Sequence, residues 1–524
     1  MSVCIFSAVH EAYAASLIKV EGCFLKGYIG VQLLGNVGEI TRNGMERAKT
    51  ALEEAGIRLP QKKMVISLSP GEARKDGSQF DLAFAVAMAL LTKTSQNEDE
   101  ETQKSPPWLF AGELGLDGSL KPVKGIINYG LQASLGGLRG IVVARENAQE
   151  LMALVPMLKD KPLHILAFSH LSQVLAWIDA GEEPLAYSPP QPLPRWVSPM
   201  NYDDMVLTET TKKIAQMVAL GQHNLLLSGT PGCGKSMFIQ RLPSLLPPMP
   251  PAIHQEALIH HSLIQEKIPP ELLSGLPPMR MPHHQASPQA ILGSAYQPGE
   301  LALAHGGLLF LDEFCEFRRD IIEGLREPLE TGLVRVARAQ HKTTWKAKAI
   351  LAVAFNNCPC GWYGSKIKKC YCPIPKVLSY LRKLSGPILD RIDIHVNMPE
   401  IIDSHGTLLK AGHAPQQTQA MLQGIQVARD FAIARQNRLS LPPNNELKAC
   451  HLQEASGLSL GDLEKRLSIV IPKGSTNRSL IRTVRVARTL GDLDLKDEVS
   501  LDHLSFAWRF QSESAAKERG NYDM

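Results

Sequence analysis

Residues 229–236 read GTPGCGKS and fill every fixed position of the phosphate-loop pattern G-x-x-x-x-G-K-[ST]. Such a loop requires a parallel strand before it and a helix after it, and the flanks comply. Residues 224–227 form a short apolar run expected to be a buried strand, and residues 237–242 can continue as a helix. Gly229, Gly232 and Gly234 allow the tight turn, while Thr230, Pro231 and Cys233 fill the variable positions. Lys235 adds a point charge for a polyphosphate. Ser236 offers a hydroxyl to magnesium, an ion that keeps several waters and shares its shell with substrate phosphates. A chance glycine-rich turn is the plain alternative, and four matched positions weigh against it.

Two later segments give the loop its chemistry. LLFLDE, residues 308–313, is an apolar strand ending in paired carboxylates, the form of a Walker B element. Asp312 would help to hold magnesium, and Glu313 would orient and polarise the attacking water. A third apolar strand, residues 349–355, ends in Asn356, whose amide can bond the water or γ-phosphate without adding negative charge. Alone, Asp-Glu after a strand is often a cap and Asn a turn former; their order behind the phosphate loop favours catalysis. In SGPILDRIDIHV, Arg391 follows a turn and precedes an alternating strand. A cation there could neutralise transition-state charge at a neighbouring subunit, an effect that reaches about 10³ to 10⁵ in rate. Arg478, Arg482, Arg485 and Arg488 share one helix face and should meet something anionic: nucleotide for Arg478, an interface or nucleic-acid phosphates for the others. A salt-bridged stripe is the alternative.

The chain of 524 residues suggests two to four domains, with 44% apolar and 21% charged residues, as in soluble globular proteins. A net charge of +4 is too small to mark a nucleic-acid binder by composition. No apolar run of membrane-spanning length and no secretory signal is legible, so a cytoplasmic protein with no membrane partner is expected. The boundaries are placed at 1–183 for an α/β or α+β domain, 184–197 for a linker, 198–400 for the phosphate-loop domain and 401–524 for a helical region. Five prolines within residues 182–196 mark the linker, and residues 92–107 read as a solvated acidic loop.

Nine cysteines without an export signal argue for reduced thiols or metal ligands. Cys358, Cys360, Cys370 and Cys372 form two Cys-x-Cys pairs, and four thiolates can complete a structural zinc shell; buried or surface thiols remain the alternative. Trp362, Tyr363, Lys366, Lys368 and Lys369 lie within this loop and suit stacking on single-stranded nucleic acid, although a folded knuckle needs aromatic packing as well.

The order of motifs resembles the AAA+ superfamily. The words RMPHHQAS, PGELALAHGGLLFLDEF, LREPLETG, CPCG, SGPILDRID and VRVARTLGDL resemble the ComM/YifB competence-protein family in its magnesium-chelatase-like branch. VEGCFLKGYIGVQLLG and PGEARKDGSQFDLAFAVAMAL resemble that family's first domain, so the likeness covers nearly the whole chain. It implies an α/β AAA+ P-loop NTPase core with a helical C-terminal lid, preceded by an α+β Lon-protease-like domain. It also implies ATP and magnesium as cofactors, a homo-oligomer expected to be a hexameric ring, and a motor that migrates branched DNA as single strands integrate during natural transformation. Lys235, Ser236, Asp312, Glu313 and Asn356 then take the Walker and sensor 1 roles, Arg391 the finger and Arg478 the lid's sensor 2. Departures are Asn357, where the family often has proline, and GSAYQPGE, where a triple glycine is common. The Lon-like Ser-Lys pair looks absent. Gln79 stands at the nucleophile position, Ser78 is one place early, and residues 121–129 lack lysines at the matching later positions, so a non-proteolytic platform is expected. A chelatase-type motor subunit and a nucleotide-gated scaffold or adaptor are the competing functions.

Overall fold

A computed structural model describes residues 2–11, 13–71, 75–94, 107–158, 163–181, 187, 198, 200–264, 267–338, 341–384, 386–400, 416–472 and 474–518. The core of the acidic loop, most of the proline-rich linker and the start of the expected lid region at 401–415 lie outside these residues.

The chain divides into two units. The first comprises residues 1–195, 250–275 and 295–297; the second comprises 196–249, 276–294 and 298–524. Two excursions from the expected 198–400 domain thus belong to the N-terminal unit. In the larger one the helix Pro251–Ser262 starts on a proline at its first turn. It buries His254, Leu258, His260 and His261, and the Ser262 carbonyl accepts the Gly125 N–H at 2.6 Å.

In the first unit seven strands run in the order Gly30–Leu34, Lys63–Ser69, Ala14–Leu25, Ser2–Glu11, Trp108–Ala111, Gly140–Ala144, His164–Phe168. The sheet is mixed. Ser2–Glu11, Ala14–Leu25 and Lys63–Ser69 pair antiparallel, and the flanking pairs are parallel. The helix Asp81–Thr94 is apolar all round and correspondingly buried over residues 81–92.

In the second unit five parallel strands run in the order Met279–Arg280, Leu308–Leu311, Ile350–Phe355, Leu225–Ser228, Ile394–Asn397. Parallel strands covered on both faces read as continuous apolar runs, which is why LLL, LLFL and ILAVAF were legible as strands. The helices Gln417–Leu439, Asn477–Leu493 and Leu501–Glu518 do not form a separate body: Met421, Val484, Leu490 and Phe510 share one apolar core with Leu225, Phe310 and Ala352.

Candidate nucleotide site

The sequence turns from strand to helix at Gly229–Gly234, and the three glycines have φ values of 153°, 81° and 85°, outside the range side chains favour. The helix Lys235–Arg241 begins immediately after. Ligands of open parallel sheets bind at the carboxyl ends of the strands, and four expected residues meet there. Lys235, only 7% exposed, donates from Nζ to the carbonyls of Gly229 and Thr230 at 2.9 and 2.8 Å and to Asn356 Oδ1 at 3.1 Å. Ser236 Oγ donates to Asp312 Oδ2 at 2.7 Å. A hydroxyl and a carboxylate converging this closely form the hard-oxygen pair that suits magnesium.

Glu313 follows Asp312 with φ of 52°, an unusual conformation for a non-glycine residue that persists where surroundings enforce it. Its N–H donates to Asp312 Oδ1 at 2.9 Å. Its side chain meets His284, whose Nδ1 lies 3.2 Å from Glu313 Oε2. His284 escaped role assignment from sequence, though it lies in RMPHHQAS. The loop carrying it is anchored one strand back, where Arg280 makes a fork of two bonds, 2.6 and 2.9 Å, to Glu300 of PGELALAHGG. His284 itself packs on His283 and Phe317, with ring centroids 4.1 and 6.5 Å apart.

Arg391 and Arg478 come together, but not at the phosphate loop. Arg391 Nη2 bonds Glu330 Oε2 at 2.5 Å, and Arg478 Nη2 lies 3.4 Å from both oxygens of the same carboxylate. They border a cavity of about 640 Å³ lined also by Asn224, Lys348 and Asp393. Asn224 and Asp393 immediately precede the strands Leu225–Ser228 and Ile394–Asn397, so this is the amino-terminal edge of the sheet. The phosphate loop leaves the opposite edge, about 13 Å away along a four-residue strand. Arg478, expected as the lid's sensor 2 arginine, thus shares the Glu330 carboxylate with Arg391, the expected finger.

The expected interface or nucleic-acid role of Arg482, Arg485 and Arg488 gives way to the salt-bridged alternative, because these three point inward and Arg482 Nη2 lies 3.6 Å from Asp390. Arg482 Nη1 donates to the carbonyls of Leu389 and Ile392 at 2.9 and 3.0 Å, clamping the segment that carries Arg391. Arg485 Nε donates to the Leu447 carbonyl at 2.8 Å. Arg488 is fully buried and lies 3.1 Å from Asp492. Helical spacing identified the shared face, but the face lies against protein.

Cys358, Cys360, Cys370 and Cys372 converge, with their sulfurs all within 4.8 Å of one another. The Trp362 N–H, followed by the neighbouring thiols, pulls the Cys360 thiol down to about 6. The loop rests beside the phosphate loop: a Cβ on Gly361 would fall 2.4 Å from Pro231 Cγ. Lys368 caps Trp362 at 5.2 Å from the ring centroid, whereas Tyr371 and Ile367 are exposed. Close by, Glu400 accepts the Lys366 N–H at 2.8 Å. Its carboxyl is held below the usual range by the Ser365 hydroxyl, then by the Lys366 N–H and the Thr230 hydroxyl.

Another element had no role in the sequence reading. The strands Leu333–Arg338 and His341–Lys346 form a hairpin that pairs only with itself among the described residues. Arg335, Arg338, His341, Lys342 and Lys346 make it strongly basic.

In the first unit, Gln79 is buried in the turn Ser78–Phe80, at the position where a Lon-type serine is expected. Lys121 and Lys124 are exposed, while the buried Lys75 ammonium bonds the Pro70 carbonyl.

A five-stranded parallel sheet of this order, with a phosphate loop, paired acids and a polar residue at three strand ends, defines an α/β AAA+ P-loop protein. Residues 201–405 match the family "Magnesium chelatase, subunit ChlI", residues 20–147 match "Subunit ChlI of Mg-chelatase", and residues 415–511 match its C-terminal family. The chain is 31% identical over 505 residues to the uncharacterized protein YifB of Salmonella typhimurium, covering 94% of each. It is 28% identical over 516 residues to the competence protein ComM of Haemophilus influenzae, covering 97% of each. A shorter match, 28% over 163 residues, joins 29% of this chain to 20% of Lon protease 1 of Thermus thermophilus. The chain belongs to the ComM/YifB family of magnesium-chelatase-like AAA+ proteins. Among the described residues no helix is long and apolar enough to cross a membrane.

Proposed function

We propose that this protein is an ATP-hydrolysing, ring-forming motor that remodels branched DNA during recombination, including the integration of incoming strands in natural transformation. The observation that carries the ring is the pairing of Arg391 and Arg478 on Glu330, at the sheet edge opposite the phosphate loop. Cations held there cannot serve their own site, and a neighbouring copy can present its γ-phosphate to them. Arg391 also donates from Nη1 to the Pro387 carbonyl at 2.7 Å, so its guanidinium is held in place beside a carboxylate that solvent reaches.

Within one chain, the loop backbone and Lys235 bind the phosphates, Asn356 bonds the γ-phosphate or water, and Glu313 accepts the proton of the attacking water. Magnesium held by Ser236 and Asp312 would supply charge neutralisation on the phosphates. The DNA partner is supported by the basic hairpin 333–346, by the lysines and exposed Tyr371 of the cysteine loop, and by the competence protein among the relatives. The first unit, with Gln79 buried at the position where a Lon-type serine would stand, is proposed to be a non-proteolytic platform.

The test measures ATP turnover with and without branched DNA, together with junction dissociation. Stimulation by branched DNA, and dissociation lost in Lys235→Ala, is the expected result. Turnover indifferent to DNA sinks the DNA reading and favours a chelatase-type motor. DNA affinity should fall steeply with salt as phosphate contacts release counterions.

A further inference from the structure

We propose that Cys358, Cys360, Cys370 and Cys372 hold one zinc ion and that the loaded knuckle buttresses the phosphate loop, so that ATP affinity depends on a metal remote from the nucleotide. The coupling rests on the reading of residues 229–236 as the ATP site; the metal site does not.

The sulfur geometry is that of a metal shell. Cys358, Cys360 and Cys370 lie 3.3, 3.6 and 3.5 Å apart pairwise, and Cys372 completes the group. A tetrahedron of thiolates at a zinc–sulfur distance of about 2.3 Å has edges of about 3.8 Å, close to these separations, whereas a disulfide requires about 2.05 Å. Backbone amides support the sulfurs as outer partners of a thiolate site do: the Tyr363 N–H points at Cys358 Sγ at 3.3 Å and the Cys372 N–H at Cys370 Sγ at 3.4 Å. Four thiolates leave no open position, so the role is structural.

The knuckle's place in the chain gives that role a target. It starts two residues after Asn356, so the strand Ile350–Phe355 carries the sensor and the first ligand together. Gly361, with φ of 85°, is the point of contact with the phosphate loop, for a Cβ there would strike Pro231 and lie 3.9 Å from Asn356 Cγ. Asn357, one of the departures from the family pattern, donates from Nδ2 to the Tyr363 carbonyl at 3.2 Å and closes the loop on itself. Glu400 then takes the Lys366 N–H on the far side. Without the metal, residues 358–372 have few apolar contacts to hold them, since only Cys358 and Gly361 are buried.

The experiment uses the full chain, purified without chelator. Elemental analysis of wild type should give about one zinc per chain, and the double variant Cys360→Ser/Cys370→Ser should give none. Affinity for a fluorescent ATP analogue should fall about 10- to 100-fold in that variant, as expected when a binding loop is misplaced by about 1 Å. Gly361→Val should keep its zinc and lose affinity similarly, so the test survives if the cysteine variant fails to fold. Zinc-free wild type overturns the metal site. Wild-type affinity in both folded variants overturns the coupling. Wild type that carries zinc but binds no ATP refutes the ATP reading and the coupling together, leaving the metal site standing.

Discussion

His284 Nδ1 stands 3.2 Å from the Glu313 carboxylate, while the Asp312 carboxylate beside it is engaged by Ser236. The two adjacent acids thus have different partners, a hydroxyl for one and an imidazole for the other. Glu313→Gln should lower kcat about 10²- to 10⁴-fold, the usual worth of a general base, with ATP affinity retained. His284→Ala should lower kcat about 10-fold and leave KM nearly unchanged, because it removes positioning and not binding. Steady-state ATPase kinetics check both, and a rise in KM with constant kcat would count against the positioning role.

Arg391 should act across a subunit interface. Arg391→Ala should lower turnover by about 10³-fold or more. Mixed with Lys235→Ala, it should regain activity, because the second chain supplies its intact Arg391 to the first chain's intact phosphate loop. No recovery in co-assembled rings would rule the trans role out. Arg478→Ala belongs in the same experiment, since its guanidinium shares Glu330 with Arg391.

Legibility in the sequence divided along a physical line. Glycine turns, buried strands and the residues placed directly at strand ends were readable because local chain geometry fixes them: Lys235, Ser236, Asp312 and Asn356 meet as their motifs imply. Where a side chain points after a helix packs is a tertiary matter. The period of Arg478, Arg482, Arg485 and Arg488 was right, yet only packing decides that Arg482 grips two carbonyls and Arg488 lies in the core. His284 was hidden for the same reason, because it meets Glu313 across 29 positions of chain only once the strands pack. The excursion at 250–275 shows no compositional shift that would assign it to the N-terminal unit.

Arg488 has a partner whose loss should be expensive. Asp492 is fully buried and accepts Arg435 Nε and Nη2 at 3.2 and 3.0 Å, Asn444 Nδ2 at 2.7 Å, and lies 3.1 Å from Arg488. Asp492→Ala leaves two buried guanidinium groups facing each other without an anion. Breaking such a network by removing one partner costs about 3–5 kcal/mol. Thermal or urea unfolding of the full chain should show the second unit destabilised by that order, and an effect below about 1 kcal/mol would show that water reaches the site.

Asp81, at the start of the buried helix of the first unit, gives a prediction of opposite sign to the usual acid behaviour. Burial pushes its carboxyl up to about 6, although Arg47 Nε at 2.7 Å and the Leu114 N–H at 3.2 Å oppose the shift. A carboxyl raised in the fold from an ordinary value of about 3.9 binds its proton more tightly when native. Between about pH 4 and 6 the folded state therefore holds more protons than the unfolded one, so this group's contribution to stability falls as pH rises through that window. Ionisation costs up to about 3 kcal/mol above pH 6, at 1.36 kcal/mol per pH unit. Amide exchange in the helix Asp81–Thr94, corrected for intrinsic rate, should be slower at pH 5 than at pH 7 by more in wild type than in Asp81→Asn. The Asn variant has no carboxyl to titrate, so an identical pH response in the two proteins would show that Asp81 does not titrate between pH 5 and 7 and would overturn the prediction.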